Sequence, residues 1–143
     1  VGGVERTRAL GRRINSGIAI IDKRRPAPGK SEVMNIVGSV KGKICFIVDD
    51  IIDSGGTIVN AAKVLKEKGA KDVYVYATHA VLSGDAIEKL KKSSIKKLII
   101  TDSIDNSHKI KKIPKIEVLS IASMMAEAIK RISNSTSVSS LFK

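Results

Sequence analysis

The sequence predicts an α/β fold built on a mainly parallel central sheet flanked by helices. Two observations carry this. Short apolar runs alternate with segments of helical spacing along all 143 residues, and strands separated by helices of that length pair in parallel through right-handed crossovers. Apolar residues make up 43% of the chain but aromatics only 3%, so the core is expected from Ile, Val, Leu and Ala. The length suits one domain with a sizeable core.

Val4 to Asn15 has helical spacing (Val4, Leu10, Ile14) and stops at Ser16-Gly17. Gly17 to Asp22 reads as a short apolar strand. Lys23 to Ser31 holds Pro26, Pro28, Gly29 and four basic residues and reads as a loop. Glu32 to Val40 reads as a strand ended by Lys41-Gly42, and Lys43 to Asp49 as the central, buried strand. Thr57 to Lys68 is an amphipathic helix presenting Ile58, Ala61, Ala62 and Leu65, with Gly69 at the position of a C′ glycine. Val73 to Thr78 is a strand, and Ser83 or Asp85 caps a helix that runs through Lys92. Leu98 to Thr101 and Ile116 to Leu119 are the last strands, followed by a helix capped by Ser120 and reaching about Ile132. The tail from Ser133 is Ser-rich but ends in Leu141-Phe142. A free tail does not need such an apolar pair, so this one is expected to dock.

The most informative segment is Val48-Asp49-Asp50-Ile51-Ile52-Asp53-Ser54-Gly55-Gly56-Thr57. An apolar strand here delivers two acids and then a Gly-rich turn into a helix, at the edge where open α/β sheets bind ligands. Glycines let a backbone close around phosphate oxygens, and the helix N-terminus offers unpaired amides and positive dipole. Ser54 and Thr57 add hydroxyl donors, while Asp49 and Asp50 can accept hydrogen bonds from vicinal sugar hydroxyls. Asp-Ser-Gly-Gly-Thr also fits a plain capped turn, which would leave the two acids without a purpose. Asp53 would repel a phosphate unless its carboxylate turns back onto amides. A phosphorylated sugar is the ligand this pattern fits.

Net charge is +12, from 26 Lys/Arg against 14 Asp/Glu, which favours anionic partners. The basic residues are dispersed and lack interleaved aromatics, so a phosphorylated small molecule is expected and nucleic acid is not. No apolar run approaches a membrane span and no signal peptide is visible, so the chain reads as cytoplasmic. Cys45 lies inside a strand and reads as a small core hydrophobe. Gly2-Gly3 ahead of the first helix, with Arg6 nearby, is a second Gly-rich helix entry, though a plain helix start explains it equally. Lys23-Arg24-Arg25 leaving a strand can offset charge on a transferring phosphoryl group; a solvated charge run is the simpler reading of the three cations alone. Neither a Walker A nor a Gly-x-Gly-x-x-Gly pattern occurs.

Val48 to Thr57 resembles the phosphoribosyl-pyrophosphate motif of the type I phosphoribosyltransferase-like fold. Within that group the chain resembles the C-terminal half of ribose-phosphate pyrophosphokinases. The resemblance extends over Val1-Gly2-Gly3-Val4, Asp22-Lys23-Arg24-Arg25-Pro26, Ser31-Glu32-Val33-Met34-Asn35, Tyr76-Ala77-Thr78-His79, Leu82-Ser83-Gly84 and Ser137-Val138-Ser139-Ser140-Leu141-Phe142. It implies transfer of pyrophosphate from ATP to the C1 hydroxyl of ribose 5-phosphate, making phosphoribosyl pyrophosphate for nucleotide biosynthesis. It places Asp53, Ser54, Gly55, Gly56 and Thr57 on the 5-phosphate and Asp49 with Asp50 on the ribose hydroxyls, assisted by Mg²⁺. It makes Lys23 the catalytic cation and Arg25 a substrate contact on a closing loop, and lines the polyphosphate side with Gly2, Gly3 and Arg6. Ser137, Ser139 and Phe142 match a regulatory nucleotide and phosphate site, where ADP and inorganic phosphate would act as effectors. His79 reads as structural.

The resemblance also implies a homo-oligomer, a hexamer in the family. Residues 1–132 correspond to a C-terminal domain, and residues 133–143 to a tail packing on an N-terminal half. That half carries a metal-binding His, and the family's metal-binding Asp falls immediately ahead of Val1, so no metal ligand is assigned here. The chain therefore reads as a fragment that is inactive alone. A free-standing phosphoribosyltransferase and a non-catalytic, synthetase-associated regulatory homologue remain as alternatives.

Overall fold

The computed structural model describes residues 3–24, 33–111 and 113–142. Its elements run α1 (Gly3–Arg13), β1 (Ile20–Arg24), β2 (Val33–Val37), β3 (Ile44–Ile52), α2 (Gly56–Glu67), β4 (Asp72–Ala80), α3 (Ala86–Lys92), β5 (Lys97–Thr101), α4 (Ser107–Ile110), β6 (Ile116–Leu119) and α5 (Ala122–Ser133), and a 3-10 turn spans Ser139–Phe142. The expected parallel sheet is present, with strand order β3-β4-β5-β6 and every neighbouring pair parallel. β1 and β2 form a separate antiparallel ribbon, pairing Ile20 with Val37 and Arg24 with Val33.

The core lies where β4 and β5 meet α2 and α3. Val73, Val75 and Ala77 alternate along β4, and Leu98 and Ile100 along β5, all fully buried. Such alternation puts one side-chain set on one face of a strand. Against that face pack Ile58, Ala62 and Leu65 of α2 with Ala86 and Leu90 of α3. α2 stops as expected: Gly69 has φ +87°, its N–H bonds Lys66 O, and Ala70 N–H bonds Leu65 O. Lys115 closes the end of α3, its ammonium donating to the carbonyls of Leu90, Lys91 and Ser93 at 2.8–3.1 Å, as a cation at a helix C-terminus should.

Several expectations need correction. β3 is an edge of the sheet and not its centre. Most of its residues are exposed or half-buried; Cys45 is half-buried and packs against the core as the small hydrophobe expected, although its strand is not a buried one. β3 also does not end at Asp49; it continues to Ile52, which pairs with Ala80. The acids are tolerated inside the strand because an edge strand leaves side chains in water. β1 begins at Ile20 and takes in Lys23 and Arg24, which the basic run had placed in a loop. Antiparallel pairing with β2 overrides that local signal. α3 has no side-chain cap from Ser83 or Asp85, whereas Ser120 Oγ does accept from Ala122 N–H at 3.3 Å.

Candidate functional site

The two acids sit on consecutive β3 residues, which a strand points to opposite faces. Asp49 is half-buried and Asp50 exposed. Asp50 N–H donates to Asp49 Oδ1 at 2.9 Å. Burial pushes the Asp49 carboxyl above the usual range, only partly offset by that backbone hydrogen bond. Asp50 moves the other way. The Arg6 guanidinium, bonded to Asp50 Oδ2 at 3.1 Å, holds it below the usual range. The expected pair thus splits into a half-buried acceptor and an ion-paired one.

Beyond Ile52 the chain bends through Asp53, Ser54 and Gly55 into α2. Gly55 has φ +73°, a left-handed conformation that a side chain opposes. No side chain caps α2, and its first turn holds no acid. Uncapped N-terminal amides with no acid in the first helical turn suit an incoming anion, and Asp53 is the one carboxylate of the bend that leads into them. Asp53, Ser54 and Thr57 are exposed around this turn. A Cβ placed on Gly56 would meet nothing within 4 Å, so the protein's own packing does not demand glycine there.

The turn is held from outside by the β4–α3 connection, whose Leu82-Ser83-Gly84 the sequence marked only as part of the family resemblance and, at Ser83, as a helix cap. Val81 N–H and Leu82 N–H both donate to Ile52 O, at 2.9 and 3.2 Å, and Ser83 N–H donates to Asp53 O at 3.1 Å. Leu82 takes φ +52° while buried, a costly conformation for a branched side chain. No residue type in Val81-Leu82-Ser83 announces that strain. A side chain on Gly55 would touch Ala86 at the start of α3, with Cβ atoms 3.7 Å apart.

The other expected residues fall elsewhere. Gly3 opens α1 beside Val48 O, and Arg6 reaches Asp50, so the start of α1 meets β3. Gly2 and Arg25 lie outside the described residues. Lys23 is in β1 opposite Met34, and its side chain lies outside them too. His79 Nδ1 shares a 3.0 Å hydrogen bond with Ser103 Oγ, whose own proton goes to Thr78 O. In the tail, Ser137 Oγ and Ser139 Oγ are 3.0 Å apart. Arg131 bonds Ser137 O and Ser140 Oγ, and Arg13 bonds Phe142 O at 2.9 Å. The tail thus lies on α5 and α1, with the Phe142 ring exposed. Among the described residues no group of three or more His, Cys, Asp or Glu could hold a metal, and no helix is long and apolar enough to cross a membrane.

Residues 4–143 match the phosphoribosyl synthetase-associated domain family. The chain belongs to that family. Relatives include a ribose-phosphate pyrophosphokinase of Bradyrhizobium diazoefficiens, 56% identical over 142 residues that make up 99% of this chain and 45% of the relative. Another, from Fusobacterium nucleatum, is 54% identical with the same coverage of each. The crystal structure of phosphoribosylpyrophosphate synthetase from Mycobacterium smegmatis superposes with a TM-score of 0.83 at 36% identity, covering 94% of this chain and 43% of the other. The synthetase-associated chain described here spans less than half the length of these relatives.

Proposed function

We propose that this chain supplies the ribose 5-phosphate half-site of a ribose-phosphate pyrophosphokinase and corresponds to its C-terminal half. The observation that carries the reading is the uncapped, acid-free N-terminus of α2 behind Gly55-Gly56, directly downstream of Asp49 and Asp50. Amides of residues 54–57 would take the 5-phosphate, with the Ser54 and Thr57 hydroxyls adding donors. Asp49, the carboxylate not engaged by Arg6, would accept from the ribose hydroxyls. The C1 hydroxyl would then attack the β-phosphorus of ATP, the bond from that phosphorus to the α-bridging oxygen would break, and AMP would leave.

Lys23 would offer positive charge to the transferring group and Arg25 would bind substrate. Arg6 and Gly2-Gly3 would line the polyphosphate side. Mg²⁺ commonly takes one or two carboxylates and completes its shell with substrate phosphates and water. Asp49, on the opposite face from the Arg6-paired Asp50, fits that sparse donor set as a single carboxylate, and when bound the ion would offset phosphate charge. Family resemblance supports a cytoplasmic homo-oligomer, a hexamer, with residues 133–143 packing on the other half and Ser137, Ser139 and Phe142 serving a site for ADP or inorganic phosphate.

The test is AMP release from ATP, Mg²⁺ and ribose 5-phosphate. The longer enzyme should turn over and this chain alone should not. Lys23→Ala in the longer enzyme should cut kcat by about 10²-fold or more, the scale of losing one transition-state contact, with little change in ribose 5-phosphate affinity. Unchanged turnover would remove Lys23 from the chemistry.

A further inference from the structure

Three consecutive peptide units past the end of β4 are each used on both sides. The Ala80–Val81 unit donates its N–H to Ile52 O at 2.9 Å and accepts Asn106 Nδ2 at its carbonyl, at 2.6 Å. The Val81–Leu82 unit donates to Ile52 O at 3.2 Å and accepts Lys109 Nζ at 3.1 Å. The Leu82–Ser83 unit donates to Asp53 O at 3.1 Å and accepts the same ammonium at 3.4 Å. The amides thus address the turn before α2, while their carbonyls address the segment that follows β5.

That segment is brought there by the way the sheet runs out. Pairing of β4 with β5 ends at Ala77 and Ile100, so the next carbonyls along β4 meet side chains instead of a strand. Thr101 Oγ1 and Ser103 Oγ donate to Thr78 O at 2.7 and 3.0 Å, and the Asn106 and Lys109 contacts continue the series. Asn106 is 4% exposed, and its Oδ1 has no partner among the described residues. A buried amide with one end unsatisfied costs stability; what the position gains is the donor on Ala80 O. Between these contacts sits Leu82, buried at φ +52°, a conformation that persists only where its surroundings over-determine it. An ammonium on the carbonyl side of a peptide unit also strengthens its N–H as a donor, because hydrogen bonds in series polarise one another.

We infer that Lys109, seconded by Asn106, is a positioning residue for the turn before α2. It holds the peptide units of residues 80–83 in the orientation that fixes Ile52 and Asp53, and so presets the amides of residues 54–57. The inference deepens the proposed function and rests on it for the ligand, a sugar phosphate; the bracing contact itself does not.

This chain is compared with Lys109→Met, Lys109→Arg, Asn106→Ala and Lys115→Met. The last is the control, because Lys115 also donates to backbone carbonyls but at the C-terminal end of α3, away from the turn. Without ligand, Lys109→Met should speed amide exchange at Leu82 and Ser83 about tenfold or more, and Asn106→Ala should do so at Val81. Calorimetric titration with ribose 5-phosphate should show Kd raised about tenfold in Lys109→Met. Lys109→Arg should recover most of that affinity, since its guanidinium keeps the charge and can span two carbonyls. Lys115→Met should lower Tm and leave both Kd and these amides unchanged. Unchanged exchange in Lys109→Met would overturn the inference even with weaker binding, because the lost charge would then act at long range. Faster exchange with an unchanged Kd would overturn it as well. So would an equal loss of affinity in Lys115→Met, which would make the effect one of general stability. Should the unaltered chain bind no ribose 5-phosphate, the proposed function falls, while the exchange contrast still decides whether Lys109 holds the turn.

Discussion

Replacing Gly56 by Ala separates a ligand-shaped glycine from a fold-shaped one. The residue opens α2, it is absent from the residues of positive φ, and a Cβ there meets no protein atom within 4 Å. Gly→Ala at a compatible position stabilises by about 0.4–1 kcal/mol through the unfolded chain. For a domain of this size that is a rise in Tm of roughly 1–4 °C. Binding should move the other way. The added methyl stands beside the amides that would hold the 5-phosphate, and losing one hydrogen bond to a charged group costs about 1.5–3 kcal/mol. That is about 10- to 150-fold in Kd. Thermal unfolding and calorimetric titration with ribose 5-phosphate measure the two quantities in the same protein. A higher Tm with weakened binding is expected. An unchanged Kd would mean the amides of this turn do not receive the phosphate.

Other perturbations probe the surroundings of the turn. Gly55→Ala must force a side chain into φ +73°, which should cost about 1–2 kcal/mol in urea unfolding; no loss would show that the turn can relax. Leu98→Ala empties a fully buried site in β5 and should cost about 2–5 kcal/mol by the same assay, so a smaller loss would mean the core collapses around it. The Arg6–Asp50 contact lowers the folded pKa of Asp50, so its contribution exists above the unfolded value near pH 4 and disappears as pH falls through the lowered one. Wild type and Arg6→Ala should therefore differ in urea midpoint at pH 7 and converge once pH falls below the lowered folded value. A gap that persists after Asp50 is protonated in the folded state would assign the effect to packing.

The parts of the fold legible in the sequence are those where local pattern and tertiary context agree. β4, β5 and α2 bury an unbroken apolar set on one face, and Gly69 stops α2 where its left-handed geometry requires. The bend into α2 is equally plain, because Asp53-Ser54-Gly55-Gly56 places its turn-forming residues consecutively. The failures share a cause. Charge at Asp49 and Asp50 suggested the end of a strand, but ladder pairing of Ile51 with His79 and Ile52 with Ala80 carries β3 onward. The four residues of α4 are too few for any period to register. Nothing in Val81-Leu82-Ser83 predicts three backbone hydrogen bonds to the carbonyls before the turn, since that contact joins segments about thirty residues apart. The apolar run of β3 describes a strand with two neighbours, whereas among the described residues it pairs with β4 alone.

If the turn takes a sugar phosphate as proposed, the clasp that Val81, Leu82 and Ser83 place on Ile52 and Asp53 has a thermodynamic consequence for that binding. The receptor's amides are set in position during folding, so capture forfeits little conformational freedom on the protein side. The same arrangement ties affinity to the seating of α3. A change at Ala86 or Leu90, remote from any bound atom, would loosen the grip on phosphate before it unfolded the domain.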